Sequence, residues 1–529
     1  MILPMTKLSY SANAKRILIV SPPYRLSQAT FPLGLMYIAA VLDRAGHEVE
    51  VIDMDVENLS MDDYVQELKT REYDYFCTGG MITSWNFVVF SCNYIREVKP
   101  AVKIIVGGGI VSSTPQSLLS IAGADVGCIG EGEETILDII DAFENNKPLM
   151  AVSGIVYKEE NEVIQTEKRA DIENLDTLPF PAWDIFNVSK TYTRYPSHDS
   201  VFKARRTASI YTSRGCPFMC TFCYTEKSVR QRSIPNVIAE IKELKERYSV
   251  GHINISDDLF VVRKKRTVEF CEAMIKSKIN VTWSATGRCN IIDPEFLKIM
   301  KAAGCESMGL GIESGSAKVL KAIKKNQTPE QIVEAVRMVQ KAGIVPGGTF
   351  ILGLPPETDE TIRETVKTYK AINTYRNHVN RFFFATPYPG TPLYEEMLEK
   401  KRIRDEIRFF EILSEKGDAV DFVMNCTDAL SDEELIITKR KIEAEVFNDF
   451  ICKHPWYALS QFFSEKTKWR KINNLLIELK LKGMREVMRL IILKSKVALK
   501  IMQDPYARRW SKKSYAEQNI IREETAATF

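Results

Sequence analysis

Short apolar runs alternate with amphipathic stretches along the first 140 residues of the chain. The apolar runs lie at residues 15–20, 49–53, 73–79, 103–109 and 124–129. Such runs are typical of parallel strands that are covered on both faces. The stretches with helical periodicity lie at residues 32–46, 64–69, 88–99 and 130–140. The alternation predicts a doubly wound, Rossmann-like parallel sheet with its ligand at the carboxyl ends of the strands.

A second alternation follows a connector that spans residues 151–205 and contains a predicted hairpin at 155–157 and 163–165. The predicted strands of this second part lie within segments 208–212, 251–260, 281–289, 307–315, 347–358 and 382–394. Six strand–helix units predict a partial, TIM-like (β/α)6 barrel, whose active residues gather at the carboxyl ends of the strands. The chain beyond it is predicted to be helical, with a helix capped by Ser431. The predicted boundaries are therefore 8–150, 151–205, 206–425 and 426–529.

The composition is ordinary for a globular protein and predicts a reducing compartment. The chain has 529 residues, of which 45% are hydrophobic and 27% charged, so two or three domains are expected. Eight of the 11 cysteines lie scattered in apolar or helical contexts, which does not indicate a disulfide scaffold. We expect no signal peptide and no transmembrane helix, because neither pattern of residues is present. These features predict a cytoplasmic protein.

The positive charge of the chain is concentrated near its end. The net charge is only +3, yet residues 453–513 hold 16 Lys or Arg against four Asp or Glu. Residues 471–502 predict amphipathic helices with a basic face. These helices either pack on the barrel with that face in solvent or touch an anionic membrane, which would suit a lipid-like substrate. Nucleic acid is not the expected partner, because few aromatic residues are interleaved with the charges.

Three closely spaced cysteines are the strongest chemical signal in the sequence. Cys216, Cys220 and Cys223 follow each other at spacings of four and three, and Gly215 favours a tight turn beside them. Thiolates hold iron–sulfur clusters, and a cubane normally takes four protein ligands. Three ligands leave one iron open to bind a substrate. A structural zinc site is the alternative, but its fourth ligand would have to be as distant as His252.

The three cysteines, with Phe222 before the last of them, resemble the signature of the radical S-adenosylmethionine (SAM) enzymes. The resemblance implies a [4Fe-4S] cluster whose open iron is chelated by the amino and carboxylate groups of SAM. One electron from the cluster then cleaves SAM to a 5′-deoxyadenosyl radical. Further matching motifs lie at the ends of the predicted barrel strands. The resemblance assigns contacts with the cluster or SAM to Phe222, Arg288, Glu313, Ser314, Gly353 and Pro355.

The segment from Arg230 to Ser233 resembles the cobalamin-dependent branch of these enzymes. The resemblance suggests that Arg232 contacts SAM, corrin or a substrate carboxylate, which a guanidinium group suits. The alternative is that these arginines form a solvated entrance to the following helix.

The first 150 residues resemble the cobalamin-binding domain that precedes such barrels. The matching features are the prolines after the first strand, the Pro32 helix start and two glycine-rich turns, which let the backbone approach a large flat ligand. The implied cobalamin contacts are Pro22, Tyr24, Thr83, Ser84, Gly107, Gly108, Gly109, Gly130 and Glu131. The motif Asp-x-His-x-x-Gly is absent, and Ile110 stands where relatives often have a histidine. A Rossmann-like domain that binds another ligand is the alternative.

The resemblance implies a methyltransferase that acts on an unactivated carbon of a small-molecule or lipid-like substrate. One SAM would supply the methyl group through cobalamin, and a second would supply the radical. Asp257, Asp258 and Tyr388 would line the substrate cavity. A flavodoxin or ferredoxin would supply the electrons.

Other functions are also compatible with the sequence. The same cofactors could serve a cyclase, an oxidase or a rearrangement enzyme. A non-catalytic cobalamin or redox sensor is a third hypothesis, against which the SAM-side motifs around Glu313 and Gly353 argue. A methylthiotransferase is disfavoured, because Cys77, Cys92 and Cys128 do not form a second cysteine triad.

Overall fold

The computed structural model describes residues 14–23, 31–160, 162–188, 206–372, 379–416 and 421–453. Its first part is a seven-stranded sheet in the order β2-β1-β3-β4-β5-β6-β7, of which the first five strands are parallel. These five are β1 (Arg16–Ser21), β2 (Glu48–Asp53), β3 (Tyr75–Gly79), β4 (Lys103–Gly107) and β5 (Val126–Cys128). The antiparallel strands β6 (Ile155–Glu159) and β7 (Glu162–Gln165) form the predicted hairpin and extend the sheet. The predicted doubly wound sheet is confirmed.

Helices connect the strands of this sheet. They are α1 (Leu33–Arg44), α2 (Met54–Glu57), α3 (Met61–Thr70), α4 (Trp85–Val98), α5 (Gly109–Ser113), α6 (Pro115–Ile121) and α7 (Thr135–Glu144). Helix α3 begins three residues earlier than its prediction, because Ser60 and Asp63 form a capping box. Helix α7 begins five residues later than its prediction, because Gly130 has a φ of +79° and the residues after it form a loop.

The second part is a six-stranded parallel sheet in which the strands follow chain order. Its strands are β8 (Thr207–Ile210), β11 (His252–Ile255), β12 (Thr282–Gly287), β13 (Cys305–Glu313), β14 (Val345–Leu352) and β15 (Val379–Phe384). Strands β8 and β15 are the two edges of this sheet, so the barrel is open, as the sequence predicts. A short antiparallel ribbon, β9 (Ser213–Arg214) with β10 (Arg230–Gln231), brackets the cysteine segment.

The helices of the barrel alternate with its strands. They are α8 (Ile234–Tyr248), α9 (Lys264–Ser277), α10 (Pro294–Ala302), α11 (Ala317–Ala322), α12 (Pro329–Lys341) and α13 (Asp359–Ile372). Three further helices follow, namely α14 (Pro392–Glu399), α15 (Glu406–Lys416) and α16 (Asp432–Lys453). Ser431 caps α16 as predicted, since its hydroxyl accepts from the Glu434 amide at 3.2 Å.

Helix α15 ties the two parts of the chain together. The Phe410 ring packs against Trp85 of α4 at a centroid distance of 4.8 Å, and the Ser414 hydroxyl accepts from the Asn86 amide at 3.0 Å. The predicted amphipathic helices of residues 471–502 lie outside the described residues. Within the described ranges, no helix is both long enough and apolar enough to span a bilayer.

Candidate functional site

The cysteine segment is a loop anchored on both sides by the barrel. The Cys216 amide donates to the Glu226 carbonyl at 2.8 Å, which closes the loop on itself. The Thr221 amide donates to the Ile323 carbonyl at 3.2 Å, and the Thr221 carbonyl accepts from the Leu393 amide at 2.9 Å. Two backbone contacts, both at Thr221, therefore join this segment to the barrel, and a third closes the loop.

Gly215 and Asp258 shape the start of the cysteine loop. Gly215 has a φ of +87°, and a Cβ there would clash with the Ser228 carbonyl oxygen, so the turn requires glycine. The Asp258 carboxylate accepts from the Gly215 amide at 3.0 Å, while burial raises the pKa of this carboxyl group. Asp258 thus supports the loop directly, whereas the sequence predicted that it lines the substrate cavity.

The three cysteines are a donor set that fits a cluster with one open iron. Cys220 is buried, Cys216 is half-buried and Cys223 reaches solvent. The pKa of Cys223 is raised to about 12, first by desolvation and then by Glu313 and the other two cysteines. The three thiols lie on one eight-residue segment, and iron binding would release their protons.

His252 does not supply the fourth ligand that a closed zinc site would need. Its Nδ1 lies 2.8 Å from the Thr282 hydroxyl and its Nε2 lies 3.2 Å from that of Ser284, inside the barrel wall. Among the described residues, no three His, Cys, Asp or Glu side chains are already gathered into a metal site. The chemistry of the donor set, three thiols on one anchored loop, is what fits an iron–sulfur cluster.

The residues assigned to SAM lie at the ends of neighbouring strands. Glu313 ends β13 with a φ of +64°, a conformation that is strained for a side chain other than glycine. The Glu313 carboxylate accepts from Lys325 Nζ at 2.7 Å and from the Thr349 hydroxyl at 3.3 Å. The Ser314 hydroxyl contacts Thr365 Oγ1 at 3.0 Å and accepts from the Ser316 amide, so it holds the backbone beside Glu313.

Arg288 joins the SAM side of the site to the cysteine loop. Its guanidinium group lies 3.7 Å from the centre of the Phe218 ring, and its Nη1 lies 4.0 Å from Cys220 Sγ. Nη2 donates to the Lys325 carbonyl, while the buried Nε has no hydrogen-bond partner. A buried donor without a partner is costly and suits a site that receives a polar ligand. Phe222, from the same loop, is half-buried against the apolar core.

Gly353 and Glu357 form the turn at the end of β14. Gly353 has a φ of +89°, and its amide donates to Glu357 Oε2 at 2.5 Å. Glu357 is fully buried, its Oε1 has no partner, and burial raises its pKa to about 8. Pro355 lies half-buried in the same turn. Burial therefore favours the neutral form of this carboxyl group.

The raised pKa of Glu357 predicts a specific pH dependence of stability. Because the unfolded chain loses this proton near 4.5 and the folded chain near 8, the native state becomes less stable as pH rises between those values. The variant Glu357→Gln has no titratable group at this position. It should therefore lose less stability over that pH interval. Thermal unfolding of the metal-free chain at pH 5, 7 and 9 measures this difference. A wild-type loss no larger than that of the variant would contradict the assignment.

Glycines bring the carboxyl ends of β3 and β4 into close contact. A Cβ at Gly79 would clash with the Gly107 carbonyl oxygen, and a Cβ at Gly108 would lie 2.9 Å from that of Gly80. Gly108 has a φ of +82° and is exposed, with Gly107 and Gly109 half-buried beside it. The resulting open edge of bare backbone is a cradle that a flat ligand can approach closely.

The other residues assigned to cobalamin border this cradle. Pro22 is buried at the end of β1, Ser84 is buried beneath Gly80, and Thr83 is half-buried beside it. The Gly130 amide donates to the Ser112 hydroxyl at 2.9 Å, which ties the second glycine turn to α5. Tyr24 lies outside the described residues. Ile110 is fully buried in the core, and its alkyl side chain has no atom that could ligate in place of an axial histidine.

Glu131 is engaged in an ion network between the two parts of the chain. Its carboxylate accepts from Arg214 at 2.5 Å, from Arg230 at 2.6 Å and from the Ile172 amide at 2.7 Å. Arg214 also pairs with Glu133, which is buried. The sequence predicted a cobalamin contact for Glu131, whereas both of its oxygens bind protein groups in the structure.

Arg232 and Asp257 are likewise buried and bound to other groups of the protein. Arg232 is buried and pairs with Glu240 at 2.5 Å, rather than lying at a solvated helix entrance or facing an open cavity. Asp257 is buried and accepts three hydrogen bonds of 2.6 Å, from the Thr212 amide, the Thr212 hydroxyl and the Ser213 hydroxyl. These groups position the chain just before the cysteines. Tyr388 is half-buried, and its carbonyl accepts from the Thr391 cap of α14.

The edges that carry the two sets of residues meet at one point. The Tyr224 ring, one residue beyond Cys223, lies against the last barrel loop at Gly390. A Cβ at Gly390 would lie 2.6 Å from the Tyr224 ring and 3.7 Å from Ser113 Cβ. The cysteine loop, the glycine cradle and the last barrel loop are therefore in mutual contact.

Comparison with known proteins identifies the family of this chain. The family model of the radical SAM superfamily matches residues 210–369, and that of the B12 binding domain matches residues 25–140. An uncharacterised methyltransferase of Pyrococcus horikoshii is 31% identical over 72% of this chain and 82% of its own length. The chain belongs to the cobalamin-dependent radical SAM enzymes. Its cofactors are a [4Fe-4S] cluster, SAM and cobalamin.

Two further similarities place the chain within that family. The anaerobic magnesium-protoporphyrin IX monomethyl ester cyclase of Rubrivivax gelatinosus is 28% identical over 77% of this chain and 74% of its own length. The structure of the radical SAM methyltransferase TsrM from Kitasatospora setae, solved with cobalamin and a [4Fe-4S] cluster, superimposes with a TM-score of 0.61. That match covers 73% of this chain and 78% of TsrM at 18% identity, and it shows a shared fold.

Proposed function

We propose that this enzyme is a C-methyltransferase that methylates an unactivated carbon of a small-molecule or lipid-like substrate. The observation that carries the proposal is the ion pair of Arg214, two residues before Cys216, with Glu131, which joins the cysteine loop to the second glycine turn. Methyl transfer to a carbon radical requires the radical and the methyl donor to reach the same substrate atom. Contact between the two edges meets that requirement.

The chain's own residues hold and orient the reacting groups. When bound, the cluster and SAM supply a carbon-centred radical, and cobalamin carries the methyl group. Cys216, Cys220 and Cys223 would hold the cluster, while Glu313 and Arg288 would orient SAM. Gly107, Gly108, Gly109 and Gly130 would admit the corrin edge. Tyr388 follows the last barrel strand and would face the substrate, with Asp257 and Asp258 supporting the loop that carries the cysteines.

One assay tests this function. The protein is reconstituted anaerobically with iron, sulfide and cobalamin, and then supplied with reductant, SAM carrying a labelled methyl group, and small-molecule extract of its source cells. We expect 5′-deoxyadenosine, S-adenosylhomocysteine and a labelled organic product. Formation of neither nucleoside product would refute the enzymatic role of the site. Formation of 5′-deoxyadenosine with an unlabelled, altered substrate would refute methyl transfer.

A cyclase, oxidase or rearrangement enzyme is the second candidate. The similarity to the cyclase of Rubrivivax gelatinosus favours it, because that relative matches three quarters of this chain. The same assay distinguishes the two, since only methyl transfer moves the label into the product.

We further propose an acidic electron carrier of the flavodoxin or ferredoxin type as the redox partner. Lys321 and Lys324 are exposed at and just beyond the end of α11, and the Lys324 carbonyl lies 3.9 Å from Cys220 Sγ. Positive side chains so close to the cluster would attract an acidic carrier and guide its approach.

Neutralising these two lysines should slow reduction by such a carrier. In the variant Lys321→Gln/Lys324→Gln we expect the second-order rate constant to fall about tenfold at low salt and to lose most of its salt dependence. Stopped-flow reduction by an acidic flavodoxin measures this rate. Reduction by dithionite should be unchanged, and so should either rate in the control Lys276→Gln/Lys341→Gln, whose exposed lysines end α9 and α12. An unchanged rate with flavodoxin would refute the docking site.

The cysteines and the basic end of the chain also bear on where the enzyme works. We infer that the enzyme works in a reducing, oxygen-poor cytoplasm, because exposed iron–sulfur chemistry and free thiols suit that compartment. A peripheral contact of residues 471–502 with an anionic membrane would bring a lipid-like substrate to the barrel. Residues 8–150 and 206–425 would bind cobalamin and SAM respectively, with residues 151–205 and 426–529 as connector and helical region.

A further inference from the structure

Lys325 is a buried cation between the cysteine loop and the SAM side of the site. It is 7% exposed, and its Nζ lies 2.7 Å from Glu313 Oε1. Its carbonyl accepts a hydrogen bond from Arg288, whose other terminal nitrogen approaches Cys220 Sγ. The sequence analysis assigned no role to Lys325, which stands 12 residues beyond Glu313 on a different segment.

The neighbouring backbone is shaped to admit this ion pair. A Cβ at Gly311 would lie 2.5 Å from Lys325 Nζ and 2.7 Å from Glu313 Oε1, so any larger residue would displace the ion pair. The Gln327 amide group donates to the carbonyls of Gly311 at 2.9 Å and Ile312 at 3.3 Å. These contacts hold the bulge at the end of β13 that places Glu313 in its left-handed conformation.

A contribution to folding stability does not explain the buried Lys325–Glu313 ion pair well. Desolvation of two charges usually cancels most of their attraction, so a buried ion pair adds little to folding compared with apolar residues. Strained backbone is likewise retained mainly where function requires a fixed geometry. A buried pair on strained backbone beside a cysteine loop therefore indicates a role in the chemistry.

The charges on this side of the loop are predominantly positive. Lys325 and Arg288 are cations, and Glu313 is the carboxylate between β13 and β14. Burial acts to lower the pKa of Lys325, but the charges of Glu313 and Cys220 outweigh it and raise that pKa. The lysine therefore stays charged in a region of low dielectric, where its field is strong.

We propose that Lys325 is a positioning residue for SAM activation, which fixes the Glu313 carboxylate for SAM and, together with Arg288, places positive charge on the Cys220 side of the loop that favours cluster reduction. Reduction adds a negative charge to the cluster, and a cation at short range stabilises that state more than the oxidised one. The same cation keeps Glu313 in one orientation, so binding SAM does not have to order it. This inference rests on the proposed radical SAM function of the site.

Removing the positive charge and removing the negative charge should shift the cluster midpoint potential in opposite directions. The variants Lys325→Met, Glu313→Gln and the double variant are reconstituted with iron and sulfide, and the cluster midpoint potential is measured by electron paramagnetic resonance without SAM. We expect Lys325→Met to shift the potential negatively, Glu313→Gln to shift it positively, and the double variant to lie between them. SAM affinity should fall about tenfold in each single variant, as expected for losing a charged hydrogen bond.

Matched controls separate this role from a structural one. Lys276→Met removes an exposed charge in the last turn of α9 and should leave both the potential and SAM affinity unchanged. Lys325→Arg retains the charge and should keep a potential near that of the wild type. If Lys325→Met binds too little iron, the double variant compared with Glu313→Gln reports the same shift, because neither contains an unpaired buried carboxylate.

Two results would overturn the inference. One is a wild-type potential and SAM affinity in Lys325→Met. The other is a shift of the same sign in Lys325→Met and Glu313→Gln, which would indicate general damage to the loop. Failure of methyl transfer in the labelled-SAM assay would leave these measurements intact, so the two proposals can fail separately.

Discussion

Replacing Cys220 with alanine is expected to remove the iron–sulfur cluster and SAM cleavage together. Cys220 is the buried member of the triad, and Arg288 and the Lys324 carbonyl surround its sulfur. With two thiolates left, the loop can no longer hold a cubane that requires three protein ligands and SAM. Changes outside the ligand sphere of a metal typically cost 10- to 100-fold, so losing a ligand should lower 5′-deoxyadenosine formation by at least about 100-fold.

Iron and sulfide analysis, with the visible absorbance of the reconstituted protein, measures the cluster itself. Cys92→Ala is the matched control, because Cys92 is an equally buried thiol within α4 of the first domain. It should retain a full cluster at a modest loss of stability. A Cys220→Ala protein with wild-type iron content and activity would refute the ligand assignment.

The parts of this molecule that could be predicted from sequence are those set by local rules. Apolar runs separated by helical periodicity predict alternating elements, and parallel order follows from that alternation. The cysteine loop was predictable because its three cysteines lie within eight residues. Gly215 also indicates the turn at which the loop starts. Glycine turns at the carboxyl ends of β3 and β4 were predictable for the same reason.

Side-chain partnerships across the fold were not predictable. Glu131 bonds to Arg214 and Arg230, which lie 83 and 99 positions away, and no local pattern identifies these partners. The position of Glu131 in a glycine turn predicted a contact with a ligand. In the structure its partners are two arginines of the other domain. Asp257 is a similar case, since a carboxylate at the end of a barrel strand can equally face a substrate or the preceding strand's backbone.

The network around Arg214 joins the glycine turn of the first domain to the cysteine loop. Arg214 stands two residues before Cys216, pairs with Glu131 and Glu133, and lies 5.4 Å from the centre of the Tyr37 ring. Burial acts to raise the pKa of Glu131, but Arg230 and Arg214 outweigh it and hold that pKa below its usual value. This network therefore links the position of the glycine turn at Gly130 to that of the cysteine loop.

Replacing Arg214 with methionine should therefore weaken both stability and methyl transfer. The change leaves the buried Glu133 without this cation and Glu131 with Arg230 alone, and breaking a buried pair in this way costs about 3–5 kcal/mol. Because the contact between the domains loosens, S-adenosylhomocysteine formation should fall more steeply than 5′-deoxyadenosine formation, which needs only the barrel. Denaturant unfolding and the ratio of the two products measure these effects.

The control is Arg16→Met, which removes an exposed pair with Asp74 and should leave stability nearly unchanged. The double variant Glu133→Gln/Arg214→Met should recover part of the lost stability, because it no longer buries an unpaired carboxylate at position 133. If coupling between the domains is what Arg214 provides, that double variant should still produce the two nucleosides in the altered ratio. Equal losses of both products in Arg214→Met would instead indicate that Arg214 only supports the cysteine loop.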